Sequence, residues 1–63
     1  MKRVRDAVDT LPPTHREVLV LRDVAGMDSE EVCAMLGITA ENQRVRLHRA
    51  RAAVRKMLEE YLR

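Results

Sequence analysis

The hydrophobic residues of this chain recur three and four positions apart in four successive stretches, which is the spacing of one face of an α-helix. Prolines, glycines and polar residues separate these stretches. The pattern predicts helices over residues 2–10, 13–24, 28–36 and 40–61. We therefore predict an all-α fold, a small four-helix domain that covers residues 1–63 as a single unit.

The inward faces of these helices supply the predicted core. Its members align when each helix is stepped at 100° per residue: Leu19, Val32, Leu36, Ile38, Leu47 and Ala50. In the second helix the predicted buried stripe consists of Val18, Leu19, Leu21 and Val24. Because the chain contains no Phe or Trp, this core must be aliphatic and rich in methionine.

Capping residues mark a short turn between the third and fourth helices. Asp28 stands at an N-cap position, and Glu31 follows it at the spacing of a capping box. Gly37 is placed to end the third helix in the left-handed conformation, and Thr39 is a second N-cap. Helices joined by so short a turn must cross at a steep angle. The segment is therefore predicted to be a helix-turn-helix, with the fourth helix as its long, basic recognition helix.

The outward face of the fourth helix carries the candidate DNA-binding residues. Stepping from Leu47 places the following side chains on this face and its flanks: Glu41, Asn42, Arg44, Val45, Arg46, His48 and Arg49. Arg, Asn and His near a helix N-terminus suit the groove of a duplex, where they can reach base edges and phosphates. The alternative is an ordinary solvated charged face. We favour DNA binding because the turn and the basic helix occur together.

Two residues stand at the predicted contact between the third and fourth helices. Gln43 falls on the inward face, and unpaired burial of its amide would cost about 1–3 kcal/mol. It is therefore predicted to be partly buried and hydrogen-bonded, either to backbone at the turn or to a side chain of the third helix. Cys33 occupies a position where a small residue lets the helices approach, so it is predicted to be a packed small hydrophobe.

The charge distribution supports a polyanionic partner. The net charge is +2, but residues 1–38 hold five Lys or Arg against seven Asp or Glu, whereas residues 39–63 hold seven against three. The basic half of such a dipolar molecule fits a phosphate backbone better than an acidic metabolite. The single cysteine excludes an internal disulfide, and with two scattered histidines it makes no plausible zinc site.

Neither catalysis nor membrane insertion is expected from the sequence. There is no glycine-rich phosphate loop, no base patterned near Cys33 and no paired carboxylates with a credible pocket, so we predict that the protein is not an enzyme and uses no cofactor. No apolar run approaches the length of a membrane span, and no signal-peptide pattern is present. These observations predict no membrane partner and a cytoplasmic location.

Short blocks of sequence between Leu11 and Arg55 form a recognisable family pattern. The blocks are Leu11-Pro12, Arg16-Glu17-Val18, Leu21-Arg22, Gly26, Glu30-Glu31-Val32, Leu36-Gly37-Ile38 and Arg46-Leu47-His48-Arg49-Ala50-Arg51. In these blocks the chain resembles region 4 of bacterial sigma-70-type sigma factors, most closely the extracytoplasmic-function class. The resemblance implies binding of promoter DNA at the minus-35 element in transcription initiation, while the domain is docked on the β-subunit flap of RNA polymerase. It also implies that the chain is a fragment of a longer sigma factor.

The resemblance bears on individual residues as well. It implies that the N-terminus of the third helix approaches a DNA phosphate, where Ser29 would contribute its hydroxyl. The chain departs from the family pattern at Glu41, Asn42 and Val45, which replace residues that are commonly Gly, Thr and Ser, and at Gln43, which replaces Val or Ile. The promoter sequence recognised by relatives therefore cannot be transferred to this chain.

Two alternatives to promoter binding remain open from the sequence. One is a response-regulator-type helix-turn-helix effector domain, although the long basic continuation from Arg49 to Lys56 favours a sigma factor. The other is a domain whose main partner is an anti-sigma factor. A surface for a protein partner, separate from the DNA face, is predicted where apolar residues exceed the needs of a small core, around Val4, Val8, Leu58 and Leu62.

Overall fold

Every regular element in the described part of the chain is a helix. The computed structural model describes the backbone of residues 2–62 and the side chains of residues 5–62. Helix α1 spans Lys2–Asp9, α2 spans Pro13–Leu19, α3 spans Ser29–Leu36 and α4 spans Ala40–Tyr61, and a π-helical segment, Val20–Val24, continues α2. This architecture confirms the predicted all-α, four-helix fold. Among these helices, none combines the length and the apolar character needed to cross a membrane.

Helix α4 is the element on which the other three pack. Its 22 residues make a rod about 33 Å long, and α1, α2 and α3 each contact it. The buried cluster lies mainly between α2 and α4 and consists of Leu11, Val18, Leu19, Leu47 and Ala50. Residues partly buried against this cluster are Val8, Leu36, Ile38, Ala53 and Val54. The inward face predicted from the position of Leu47 is therefore confirmed.

Most of the predicted core is buried. Leu19, Val32, Leu47 and Ala50 are all in the buried class, whereas Leu36 and Ile38 are only partly buried. The turn between α1 and α2 also contributes to the core, since Leu11 is only 5% exposed. Pro12 and Pro13 follow it directly, and Pro13 stands in the first turn of α2, where the missing proline N–H costs no hydrogen bond.

The π segment corrects one prediction about the second helix. The Ala25 N–H donates to the Val20 carbonyl over 2.9 Å, which closes a turn wider than that of an α-helix. Residues in such a turn do not follow the 100° step from which the buried stripe was predicted. The assignment of Val24 to that stripe is wrong, because Val24 is 75% exposed. Gly26, with φ at +72°, then turns the chain towards α3.

The C-terminal part of α4 packs partly on α1. The Thr10 hydroxyl donates to the Ala7 carbonyl over 2.7 Å and lies 3.2 Å from the Met57 sulfur. Leu58 is also partly buried here, whereas Leu62 is 80% exposed. The tail of α4 therefore packs on α1 and also presents apolar surface. The side chain of Val4, predicted to join that surface, lies outside the described side chains.

Candidate nucleic-acid interface

Local hydrogen bonds fix the turn that precedes the candidate recognition helix. The Asp28 carboxylate accepts a hydrogen bond from the Glu31 N–H over 2.9 Å at the start of α3. Gly37 adopts the left-handed conformation, with φ 66° and ψ 38°, and ends α3. The Thr39 hydroxyl accepts from the Asn42 N–H over 3.0 Å and starts α4. The helix-turn-helix and its three capping residues are therefore as predicted.

The N-cap of α3 also perturbs two carboxyl groups. The Glu31 N–H that donates to Asp28 stabilises the ionised carboxylate, and it lowers the pKa of Asp28. A side-chain hydrogen bond with Asp28 raises the pKa of the Glu31 carboxyl. Carboxylates at the N-terminus of α3 lie near the positive end of the helix dipole, and this interaction stabilises their negative charge.

The candidate DNA-binding residues of α4 are distributed over an accessible face. Those in the exposed class are Glu41, Asn42, Arg44, Val45, His48 and Arg49. Arg46 is half-buried, and so is Ser29 at the first position of α3. Val45 is 43% exposed, although it is apolar. The N-terminal half of α4 thus presents side chains of the types that read base edges and bind phosphates on one continuous surface.

Gln43 is the centre of a buried polar network on the opposite side of α4. It is only 2% exposed. Its Nε2 donates to the Ser29 carbonyl over 2.8 Å and lies 2.8 Å from the Cys33 sulfur. Its Oε1 accepts from Arg22 Nη1 over 2.9 Å. Gln43 is hydrogen-bonded to a side chain of the third helix, Cys33, as predicted, and it is more deeply buried than predicted. Its backbone partner is Ser29 at the start of α3 and not the turn, and the contact with Arg22 was not predicted.

Cys33 takes the structural role that the sequence suggested. Its sulfur lies at the contact between α3 and α4 and accepts the hydrogen bond from Gln43. The thiol is free and only partly buried. A small side chain at this position lets the two helices approach, and the weak acceptor character of sulfur gives Nε2 of Gln43 a second acceptor besides the Ser29 carbonyl.

A polar cleft opens beside this network. It is lined by Arg22, Ser29, Ala40, Gln43, Arg44, Leu47 and Arg51. Three of these residues are arginines. Arg22 lies in the π segment, and Arg44 and Arg51 lie about two helical turns apart on α4. Arg22 and Arg51 are not among the DNA-binding residues predicted from the sequence. Periodicity within one helix gives no information on which side chains of two distant elements share a cleft.

An ion pair closes one side of the polar cleft. Arg51 binds Asp23 through two hydrogen bonds, Nε to Oδ2 over 2.8 Å and Nη2 to Oδ1 over 2.5 Å. The Arg51 hydrogen bond lowers the pKa of the Asp23 carboxyl, and the same pair raises the pKa of Arg51. The Asp23 side chain is 34% exposed, so the pair is a surface interaction that salt screens. It ties the end of the π segment to the middle of α4.

An apolar groove lies on the other side of this ion pair. Its apolar lining consists of Val8, Leu19, Val24, Val54, Leu58 and Leu62. Asp23 and Arg51 form part of its rim. The groove includes three of the four residues that the sequence predicted for a partner surface, and it adds Val24, which was predicted to be buried.

The fold and the accessible face of α4 define a helix-turn-helix domain. Residues 1–54 match the family model described as Sigma-70, region 4, and the chain belongs to this family.

Several curated proteins are similar to the chain. It is 40% identical over 55 residues to the ECF RNA polymerase sigma factor SigE of Mycolicibacterium smegmatis, an alignment that covers 87% of this chain and 21% of that protein. It is 39% identical over 59 residues to the RNA polymerase sigma factor CarQ of Myxococcus xanthus, covering 94% of this chain and 34% of that protein. It is 44% identical over 54 residues to the RNA polymerase sigma-E factor of Streptomyces antibioticus, and that alignment covers 86% of this chain and 30% of that protein. The chain thus spans between about a fifth and a third of the length of these relatives.

Proposed function

We propose that this chain is the promoter-binding domain of an extracytoplasmic-function sigma factor, and that it recognises the minus-35 element with α4 in the major groove. The observation that carries the proposal is the accessible N-terminal half of α4, which follows a fully capped helix-turn-helix and carries Arg44, His48 and Arg49. Family membership supports it, because the relatives are named as RNA polymerase sigma factors. The same finding favours a sigma factor over a response-regulator effector domain.

In this proposal the side chains of α4 divide into two groups. Asn42, Val45, His48 and Arg49 face the base edges, while Glu41 borders this group at the helix N-terminus. The flanking Arg44 and Arg46 meet phosphates, together with Ser29 at the start of α3. The position of Arg44 in the polar cleft supports a phosphate role, since Arg22 and Arg51 line the same cleft. Arg51 is paired with Asp23, but the guanidinium groups of Arg22 and Arg44 form no ion pair among the described residues, and together on one concave surface they attract an anion at close range.

Two substitutions distinguish a side chain that reads a base from one that contacts a phosphate. Arg49→Ala is expected to cost about 1–3 kcal/mol of binding free energy and to relax the preference at one promoter position, because a bidentate contact with a base would be lost. Arg44→Ala is expected to weaken binding to all sequences alike. It should also flatten the plot of log affinity against log salt by about one unit, because one fewer counterion is released.

The measurement is gel-shift binding to a randomised, promoter-like duplex library, followed by salt titration of the best duplex. Lys56→Ala provides the control for loss of one positive charge, since Lys56 is exposed on α4 about two helical turns beyond Arg49 and lies outside the polar cleft. If both arginine variants showed the same small loss as Lys56→Ala, with unchanged sequence preference and salt slope, the basic face would be solvated surface only.

We also propose a second binding surface for a protein partner, the β-subunit flap of RNA polymerase or an anti-sigma factor. The apolar groove supports it, because Val24 and Leu62, at 75% and 80%, are the two most exposed large apolar residues in the described part of the chain. Leu62→Glu should weaken capture by the isolated flap or by a cognate anti-sigma factor, with an unchanged melting temperature. Met35→Glu is the matched control, since Met35 is 61% exposed on α3 outside the groove. Equal capture of both well-folded variants would contradict this surface.

A further inference from the structure

The hydrogen bonds of Gln43 leave its amide a single orientation. A guanidinium can only donate and a backbone carbonyl can only accept. Because Arg22 donates to one end of the amide and the Ser29 carbonyl accepts from the other, Oε1 must face Arg22 and Nε2 must face α3. One side chain of α4 therefore connects the π segment with α3. Among the described residues, no buried side-chain nitrogen or oxygen is left without a partner.

The Arg22 guanidinium is held by a neutral group. The hydrogen bond to Gln43 uses one of its five N–H donors and leaves its charge uncompensated at the contact. The two carboxylates whose pKa values Arg22 helps to lower have closer partners: Asp23 binds Arg51, and Asp28 accepts from the Glu31 N–H. Both acidic groups are therefore committed to other bonds, while Arg22 remains cationic at the polar cleft.

A purely structural role would not require this arrangement. Space at a helix contact is filled at less cost by an apolar side chain, since burying an amide loses its hydration and the recovered hydrogen bonds contribute little net stability. An acidic side chain would hold a guanidinium more strongly, but it would cancel the charge. A buried glutamine, in contrast, orients the arginine side chain by a hydrogen bond and, being neutral, does not cancel the positive charge of the guanidinium.

We propose that Gln43 is a positioning residue for DNA binding: it holds Arg22 at the polar cleft, so that the guanidinium meets a backbone phosphate beside the one bound by Arg44. This inference rests on the proposed function, because the phosphate belongs to the duplex that α4 reads. Gln43 itself does not contact DNA. It acts by removing the conformational freedom that a long arginine side chain would otherwise lose on binding.

The test compares Gln43→Glu, Gln43→Met and Arg22→Ala in the full chain, with the best duplex from the library as the probe. Gln43→Glu should keep Arg22 in place and neutralise it, so the salt slope should flatten by about one unit, as in Arg22→Ala. Gln43→Met should release Arg22 and weaken binding roughly three- to tenfold, which is the range for one hydrogen bond. In the Arg22→Ala background, Gln43→Met should cause no further loss of affinity.

Several outcomes would overturn the inference. A folded Gln43→Glu variant with the parent salt slope would show that Arg22 meets no phosphate. An equal effect of Gln43→Met with and without Arg22 would show that Gln43 acts through the fold alone. If the Gln43 variants do not fold, ¹⁵N spectra of the guanidinium groups in the parent protein decide: the Arg22 signal must shift on saturation with duplex, while that of the exposed Arg55 stays fixed. A parent chain that binds no duplex would refute the proposed function, and this inference with it.

Discussion

Truncation of Leu47 to alanine tests the packing of α4 on the rest of the domain. Leu47 is 7% exposed and belongs to the buried cluster with Leu11, Val18, Leu19 and Ala50. Leu→Ala removes this apolar surface and leaves a cavity between α2 and α4, which costs roughly 2–5 kcal/mol. A 63-residue domain has a total stability of about 3–9 kcal/mol at typical values per residue. The substitution should therefore remove between about a fifth and all of the stability.

Thermal and urea unfolding, followed by far-ultraviolet circular dichroism, measure this effect. The melting temperature should fall by roughly 10–40 °C, since 1 kcal/mol shifts it by about 4–8 °C in a domain of this size. Leu62→Ala is the matched control, because it deletes the same atoms from a residue that is 80% exposed. It should change stability by about 0.5 kcal/mol or less. If the two variants had the same melting temperature, the inward face of α4 would be assigned wrongly, and so would its outward face.

Three further predictions concern the turn and the ion pair. Gly37→Ala should destabilise the domain by about 1–2 kcal/mol in urea titration, purely through the backbone, since φ is +66° and an added Cβ would meet nothing within 4 Å. Thr39→Ala should cost about 0.5–2 kcal/mol in the same assay and raise amide exchange at Asn42, because the N-cap acceptor is lost. The lowered pKa of Asp23 means that its pairing stabilises the fold above the unfolded-state pKa and that this contribution disappears as pH falls through the folded-state pKa. Asp23→Asn should remove that part of the pH dependence, worth about 0.2–1 kcal/mol for an exposed pair, and a variant that kept the full acid dependence would contradict the assignment.

The parts of the fold that the sequence predicted are those governed by local interactions. Asp28, Gly37 and Thr39 act within one helical turn, so their types and spacing were enough to position the helix-turn-helix. The inward face of α4 followed from a single periodicity because α4 is uninterrupted over 22 residues. The exposure of its outward face follows from the same geometry, whereas its DNA contacts remain predictions.

The parts that the sequence did not predict depend on how separate elements meet. The π segment leaves no signature in the hydrophobic pattern, and the α-helical step therefore misplaced Val24. The contact between Arg22 and Gln43 joins residues 21 positions apart, and its partners become evident only once α2 and α4 are packed. The same holds for the pair of Arg51 with Asp23. The polar cleft, which carries the proposal about Gln43, is a product of these tertiary contacts.

Because α4 is one continuous helix of 22 residues, a change in its packing at one end alters the position of its other end. Ala50, fully buried in the cluster, lies near its midpoint, and Asn42 lies eight residues away, or about 12 Å along the axis. A tilt of about 10° around Ala50 would therefore move the Asn42 end by roughly 2 Å, most of a hydrogen-bond length. In the proposed mode of DNA binding, substitutions around Met57, where α4 contacts the end of α1, should therefore alter the alignment of α4 with the duplex without changing any residue near the DNA.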